Sequence, residues 1–375
     1  MSRRSWIFGC VVTIILLALA GLLFRPTFSS FMTSDIRLKV GWAGSEKSGK
    51  GLAIADYQKE LKKTGADIGL SLFSTERLGE NAAVLEQIRL GQSYMAFMSV
   101  NEGARYSDKV KALSVPFLFQ NNEELAAFMT SEAGEAVRQE LAEKGFQVVG
   151  WLAVSPDPLW LGEPLGFPED LKNLKTGIVG SGYEADFWRG YEMRVQVLPQ
   201  GIWRNELVSQ NINSLVVSSE WMETTGLFWR FPQRIVIGGV KPEFLVVNQE
   251  LFLSLSESAQ KGLMDSTEVW QSEWNAERLE AANFNLMASQ TTMSTYLIPL
   301  EEYREIAEAF YKKLPEEEQK YLDEVRSAIG GYFFYEPKPV RQEERLPTSE
   351  AEEDAEESES ANSLTLGSGT LGVQP

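Results

Sequence analysis

Between residues 35 and 154 the spacing of apolar positions switches repeatedly between two periods. IRLKVGWA alternates apolar and polar residues and predicts a strand. GLAIADYQKELKKTG carries apolar residues at helical spacing and stops at a glycine, which predicts a helix. IGLSLFST predicts a second strand, and LGENAAVLEQIRLGQ a helix with Leu78, Ala82, Leu85 and Ile88 on one face. SYMAFMSV is almost wholly apolar, as expected of a strand buried on both faces. The order β-α-β-α-β calls for a mainly parallel sheet covered by helices. A helix is expected from about residue 121 through AAFMTSEAGEAVRQELAEKG, followed by a strand FQVVGWLAV.

Near residues 155–158 the chain leaves this first unit and a second α/β unit begins. It comprises DLKNLKTGIVG, a helix EADFWRGY, a strand RVQVLP, a helix WRNELVSQ and a strand INSLVVSS. RFPQRIVIGGVKPEFLVVNQELFLSL returns as extended segments, and one long helix is expected over about 256–289. A last helix runs to about residue 329.

A chain of 375 residues is long enough for two lobes. Its formal charge of −18 argues against a nucleic-acid partner, because phosphate binding needs a basic surface. Residues 343–359 hold nine acids and one base, so much of that charge is local, and 341–375 reads as an acidic disordered tail. There is no histidine and one cysteine, Cys10. That removes Ser-His-Asp and Cys-His catalysis, histidine zinc sites and internal disulfides, and leaves carboxylate-only metal sites open. No cofactor is expected, and an enzyme is the weakest reading. Glu220 and Glu223 could do acid–base work, but acids at this spacing are usually a solvated face.

Residues 1–34 carry Arg3 and Arg4 ahead of an apolar run at 6–24. The run fits a signal peptide with a small-x-small site at Ala18-Leu19-Ala20, and it is also long enough for an uncleaved membrane anchor. Either way the remainder is expected outside the cytoplasm, secreted into the periplasm or tethered to the inner membrane.

Two motifs nearly match. GSEKSGKG at 44–51 follows a strand and fits a P-loop up to Gly51, where the hydroxyl needed for Mg²⁺ is absent. The plainer reading is a turn into a helix whose free N–H groups could face a ligand. GSGYEA at 180–185 fits a dinucleotide fingerprint, but RVQVLP lacks the acid that would bind a ribose, and a strand-to-helix turn at a cleft mouth is the plainer reading.

Four ordered stretches resemble one family: RLGENAAVLEQIRLGQSYMAF, SVPFLFQNNEEL, PEDLKNLKTGIV and FLVVNQELFLSLSESAQKGL. Together they are similar to the DctP-type solute receptors of tripartite ATP-independent periplasmic (TRAP) transporters over roughly residues 35–330. The resemblance implies an α/β, two-lobe, periplasmic-binding-protein-like fold braced by a long helix. A ligand cleft lies between the lobes, and the captured small molecule passes to membrane subunits. On that basis lobe I is expected at 35–154 and about 243–282, and lobe II at 155–242 and about 283–340.

The family's strand after "DLkGLK" carries an arginine that pairs with a ligand carboxylate, and the aligned residue here is Gly177. No Lys or Arg occurs between Gln147 and Glu169 to supply a second cation, and the family's acid near 213 is Asn213. The scaffold therefore resembles the family while its ligand chemistry departs from it. Arg189, Arg194 and Arg204 could compensate, Arg204 being nearest in order to the cleft, although surface positions are the plainer reading for all three. Trp160 and Trp221 near strand ends, with Ser45, Asn101, Ser218 and Glu220, complete the expected cleft. Such a lining suits an apolar, sugar-like or aromatic solute. The alternative function is a membrane-anchored sensor or adaptor with a receptor-like fold and no transport role.

Overall fold

The computed structural model describes residues 36–165, 168–179, 182–198, 202–288, 294–298 and 307–330. The N-terminal apolar run at 6–24 and the acidic tail at 341–375 lie outside the described residues.

The alternating segments form the expected strands: β1 (Ile36–Gly41), β2 (Ile68–Phe73), β3 (Tyr94–Ser99) and β4 (Phe146–Val154). They share a sheet with β10 (Lys241–Asn248) in the order β2-β1-β3-β10-β4. β1 runs parallel to β2 and β3, whereas β10 is antiparallel to both β3 and β4. Helices α1 (Gly49–Lys63), α2 (Asn81–Arg89), α3 (Val100–Gly103), α4 (Asp108–Ala112), α5 (Asn122–Met129) and α6 (Glu132–Glu143) follow these strands. The single helix expected after residue 121 is two, because Ser131 breaks it and caps α6 by accepting from Gly134 N.

The second sheet contains β5 (Leu159–Leu161), β6 (Lys175–Val179), β7 (Arg194–Leu198), β8 (Ser214–Val216), β9 (Gln233–Ile237) and β11 (Ser294–Ile298). Its order is β11-β9-β5-β8-β6-β7. β6 pairs in parallel with β7 and β8, while β5 runs against β8 and β9. Helices α7 (Glu184–Gly190), α8 (Trp203–Val208) and α9 (Ser219–Thr225) connect these strands. The chain passes between the sheets at 155–158, from β4 to β5, and at 238–240, from β9 to β10. β10 therefore belongs to the first sheet from Lys241 onward, pairing Lys241 with Val154.

After a short helix α10 (Gln249–Ser254), the expected long brace is two helices, α11 (Glu257–Glu273) and α12 (Ala276–Ala288). Trp274 is extended at the end of α11, and Asn275 Oδ1 accepts from Arg278 N, restarting the helix in a new direction. α11 lies on α1 and β4, held by Trp270 Nε1 donating to Ala53 O at 2.7 Å and Tyr57 OH donating to Leu263 O at 3.1 Å. α12 touches α1 and β4 on one side and α9 on the other, so it spans both lobes. A Cβ at Gly49 would lie 2.6 Å from Leu279 O, so only glycine lets α1 start this close to α12.

The final helix, α13 (Glu316–Ile329), packs on α4, α5 and α6. Its position in the chain places it in lobe II, but its apolar face, with Tyr321, Leu322 and Val325, is buried against the helices of lobe I. No helix among the described residues is long and apolar enough to cross a membrane.

Candidate functional site

The carboxyl ends of β1, β3, β4, β6 and β8, with the amino end of antiparallel β10, converge on one cavity of about 490 Å³. Open α/β sheets place ligands at such strand ends, where the chain turns away and leaves polar backbone and side chains exposed.

Lobe I contributes Trp42 and Ala43 after β1, Lys50 in the first turn of α1, Phe97 and Ser99 from β3, and Asn101 and Glu102 from α3. α3 is fixed by a capping box: Ser99 Oγ accepts from Glu102 N at 3.3 Å, and Glu102 Oε2 accepts from Ser99 N at 3.0 Å. Lobe II contributes Val179, Leu198, Val217 and the start of α9, where Ser218 Oγ caps the helix by accepting from Trp221 N at 3.2 Å. Trp221 is half-buried and packs edge-on against Trp203, with ring centroids 4.5 Å apart.

Three cations line the cavity among the described residues: Lys50, Arg105 and Lys241. Lys50 Nζ donates to Glu243 Oε1 at 2.7 Å, lies 4.0 Å from Glu220 Oε2, and sits over the Phe97 ring. Burial alone would lower the Lys50 pKa, but Glu220 and Glu243 outweigh it and hold the ammonium above its ordinary value. Lys241 Nζ lies 3.0 Å from Asp157 Oδ2 in the crossover and is likewise raised, the Asp157 and Glu184 carboxylates overcoming burial. Burial pushes the Glu243 carboxyl up; Lys50 pulls it down and Glu220 pushes it up again. Arg105 is exposed at the rim and forms no ion pair among the described residues.

Side chains also tie the lobes together around the cavity. Asn283 on α12 donates to Glu220 Oε1 at 2.9 Å and accepts from Gly49 N at 2.7 Å. Ser45 N donates to Glu223 Oε2 at 2.9 Å, and Thr224 Oγ1 donates to the Ala43 carbonyl. Arg234 holds Glu280 at 2.5 Å beneath the cavity floor. Behind the crossovers, Asn101 Nδ2 donates to Glu184 Oε2 at 3.1 Å.

The structure brings Asn101, Ser218, Glu220 and Trp221 together in the cavity wall. Ser45 stands just outside it, its backbone engaged with Glu223. Trp160 does not reach the cavity: β5 lies between β8 and β9, and Trp160 is fully buried with Nε1 donating to Val217 O at 2.9 Å. Gly177 does not line it either, since a Cβ there would meet Leu198, Ile212 and Leu215 in the lobe II core at 2.7–3.1 Å. Arg204 lies on α8, and its side chain is outside the described residues. Arg189 pairs with Asp186 at 2.6 Å on the surface, and Arg194 is exposed, so neither compensates in the cleft. Asn213 is exposed and accepts from Lys175 N at 2.8 Å, tying the start of β8 to the start of β6.

Lys50, Lys241 and Glu243 were not singled out by sequence. The signal available for Lys50 was the GSEKSGKG turn: it places a lysine in the first turn of a helix at the end of a strand. Two of its N–H groups are already taken, because Asn283 accepts from Gly49 N and Ser48 Oγ accepts from Gly51 N.

A profile of the bacterial extracellular solute-binding proteins, family 7 (DctP), matches residues 40–309. A solute-binding protein of Chromohalobacter salexigens is 25% identical over 172 residues, covering 44% of this chain and 49% of that protein. The 2,3-diketo-L-gulonate-binding periplasmic protein YiaO of Escherichia coli is 27% identical over 162 residues, 41% of this chain and 48% of its own length. The chain thus spans about half the length of the curated relatives it matches. Among solved structures, a TRAP periplasmic solute binding protein from Roseobacter denitrificans with bound L-galactonate superimposes with a TM-score of 0.67 at 18% identity, covering 78% of this chain and 98% of that one. One from Chromohalobacter salexigens with bound D-glucuronate gives 0.65 at 18% identity, covering 78% and 99%. With 40–309 inside the family profile and both sheets in the fold of these structures, the chain belongs to the bacterial extracellular solute-binding proteins of family 7.

Proposed function

We propose that the chain is the exported receptor of a TRAP-type transporter, capturing a small solute between its lobes and delivering it to the membrane subunits. The observation that carries this reading is the cavity itself, walled by strand ends of both sheets and flanked by lobe-to-lobe contacts such as Ser45–Glu223. Its volume of about 490 Å³ is in the range that encloses a metabolite. The family is one of solute-binding proteins rather than enzymes, which favours a receptor over both the catalytic and the anchored-sensor readings. Export follows from the apolar run at 6–24 behind Arg3 and Arg4, acting as signal peptide or anchor. The solute is held without the arginine–carboxylate pair that the family resemblance implies, since position 177 is a glycine facing the core.

Native mass spectrometry on protein purified gently from its host tests the proposal. The expected result is a retained small molecule of defined mass. An empty protein that gains no thermal stability from a broad metabolite panel would overturn it.

A further inference from the structure

Resting on that receptor reading, we infer that the cleft selects a solute carrying a protonated amine rather than a carboxylate. Six carboxylates line the cavity among the described residues, Glu76, Glu102, Asp157, Glu220, Glu243 and Glu280, and Glu76 already has a partner of its own. The other five face four cations, three of which are already committed: Lys50 to Glu243, Lys241 to Asp157 and, from outside the lining, Arg234 to Glu280. Arg105 is the remaining one, and it stands at the exposed rim, where water and salt screen it. An incoming anion therefore meets an excess of negative charge and must displace a carboxylate from a lysine to gain a buried partner. An incoming cation meets carboxylates from both lobes, Glu102 and Glu243 on one side and Glu220 on the other.

Glu243 provides a specific point of attachment. The residue is 4% exposed, one of its oxygens holds Lys50, and Oε2 is buried without a hydrogen-bond partner. A buried carboxylate oxygen left this way is costly, and a ligand that donates to it recovers that cost. An ammonium has three donors and no acceptor, matching a wall rich in acceptors. The half-buried Trp221 adds an aromatic face of the kind that attracts organic cations. A metal ion is the poorer occupant, because no group of three or more acids among the described residues is arranged to hold one.

The test uses the full chain and matched probes that change only the charge of the headgroup. Glucosamine, glucose and glucuronate form one series; ethanolamine, ethylene glycol and glycolate a second; putrescine, 1,4-butanediol and succinate a third. Isothermal titration calorimetry ranks each series, and Glu243→Gln is titrated with the tightest probe after its thermal melt confirms folding. The expected result is that the amine binds at least about tenfold more tightly than its neutral partner, and that Glu243→Gln removes about that factor. A carboxylate as the tightest probe, or a neutral polyol equal to its amine, overturns the inference and leaves the receptor reading standing. No saturable binding of any probe, together with an empty protein in native mass spectrometry, overturns both. If Glu243→Gln does not fold, the wild-type ranking decides alone.

Discussion

Asn101 Nδ2 donates to Glu184 Oε2 at 3.1 Å, joining the helix after β3 in lobe I to the first turn of α7 in lobe II. Glu184 is buried, and burial pushes its carboxyl up to about 7; Lys241 and the Asn101 bond pull it down, and Asp157 pushes it up. The folded protein therefore binds this proton more tightly than the unfolded chain, whose carboxyl titrates near 4.5. Its contribution is fully present below the unfolded value and is lost as pH rises through about 7. Relative to Glu184→Gln, the wild type should lose about 2–3 kcal/mol of stability between pH 5 and pH 8. Urea unfolding of both proteins across that range measures the difference; parallel pH profiles would refute the assignment.

The Lys50–Glu243 pair is a buried ion pair, with side chains 11% and 5% exposed. Removing only the lysine leaves Glu243 and Glu220 facing each other without a cation. Lys50→Met should cost about 3 kcal/mol, somewhat less at low pH, where the raised Glu243 carboxyl takes up a proton. The double variant Lys50→Met with Glu243→Gln should recover most of that loss. A double-mutant cycle by chemical denaturation reads the coupling directly.

The architecture was legible because periodicity is local: β1, α1, β2, α2 and β3 each announce themselves within ten to fifteen residues. Asn101, Ser218, Glu220 and Trp221 were legible for the same reason, since strand ends can be counted along the chain. Lys50 and Glu243 were not, because they meet only when β10 inserts between β3 and β4, 193 residues along the chain from α1. In KPEFLVV the charged residues look like an ordinary solvated strand end, and Glu184 looks like an ordinary acid in a helix first turn. Trp160 misled in the opposite direction. A tryptophan beside a crossover reads as a cleft wall, but three-residue β5 is central in its sheet and both its faces are covered.

Gly177 offers a test of whether family-style chemistry can be restored by one substitution. A Cβ there meets the tips of Leu198, Ile212 and Leu215, which can shift, so Gly177→Ala should cost only about 1 kcal/mol. Gly177→Arg would push a guanidinium into the same apolar cluster. It should destabilise by about 3 kcal/mol or more and give no gain in glucuronate affinity. Thermal melts and a glucuronate titration check both arms. A folded variant that binds glucuronate tightly would mean that the side chain finds a path past Leu198 into the cavity.

The lobes are also latched at the cavity mouth, where Glu223 Oε2 accepts from Ser45 N at 2.9 Å and Thr224 donates to the Ala43 carbonyl. Both partners on lobe I are backbone groups of the turn after β1, so the latch depends on α9 approaching that turn. Glu223 lies outside the cavity lining, unlike Glu220 three residues earlier, so truncating it alters lobe contact without altering the wall. A charge-assisted hydrogen bond of this kind is worth about 1.5–3 kcal/mol. Glu223→Ala should therefore shift the lobes apart and speed ligand release by about tenfold or more, with a smaller effect on the association rate. Small-angle scattering of the ligand-free protein and stopped-flow release kinetics separate the two effects. Unchanged scattering with unchanged release would show that the Thr224–Ala43 and Asn283–Glu220 contacts hold α9 to lobe I without Glu223.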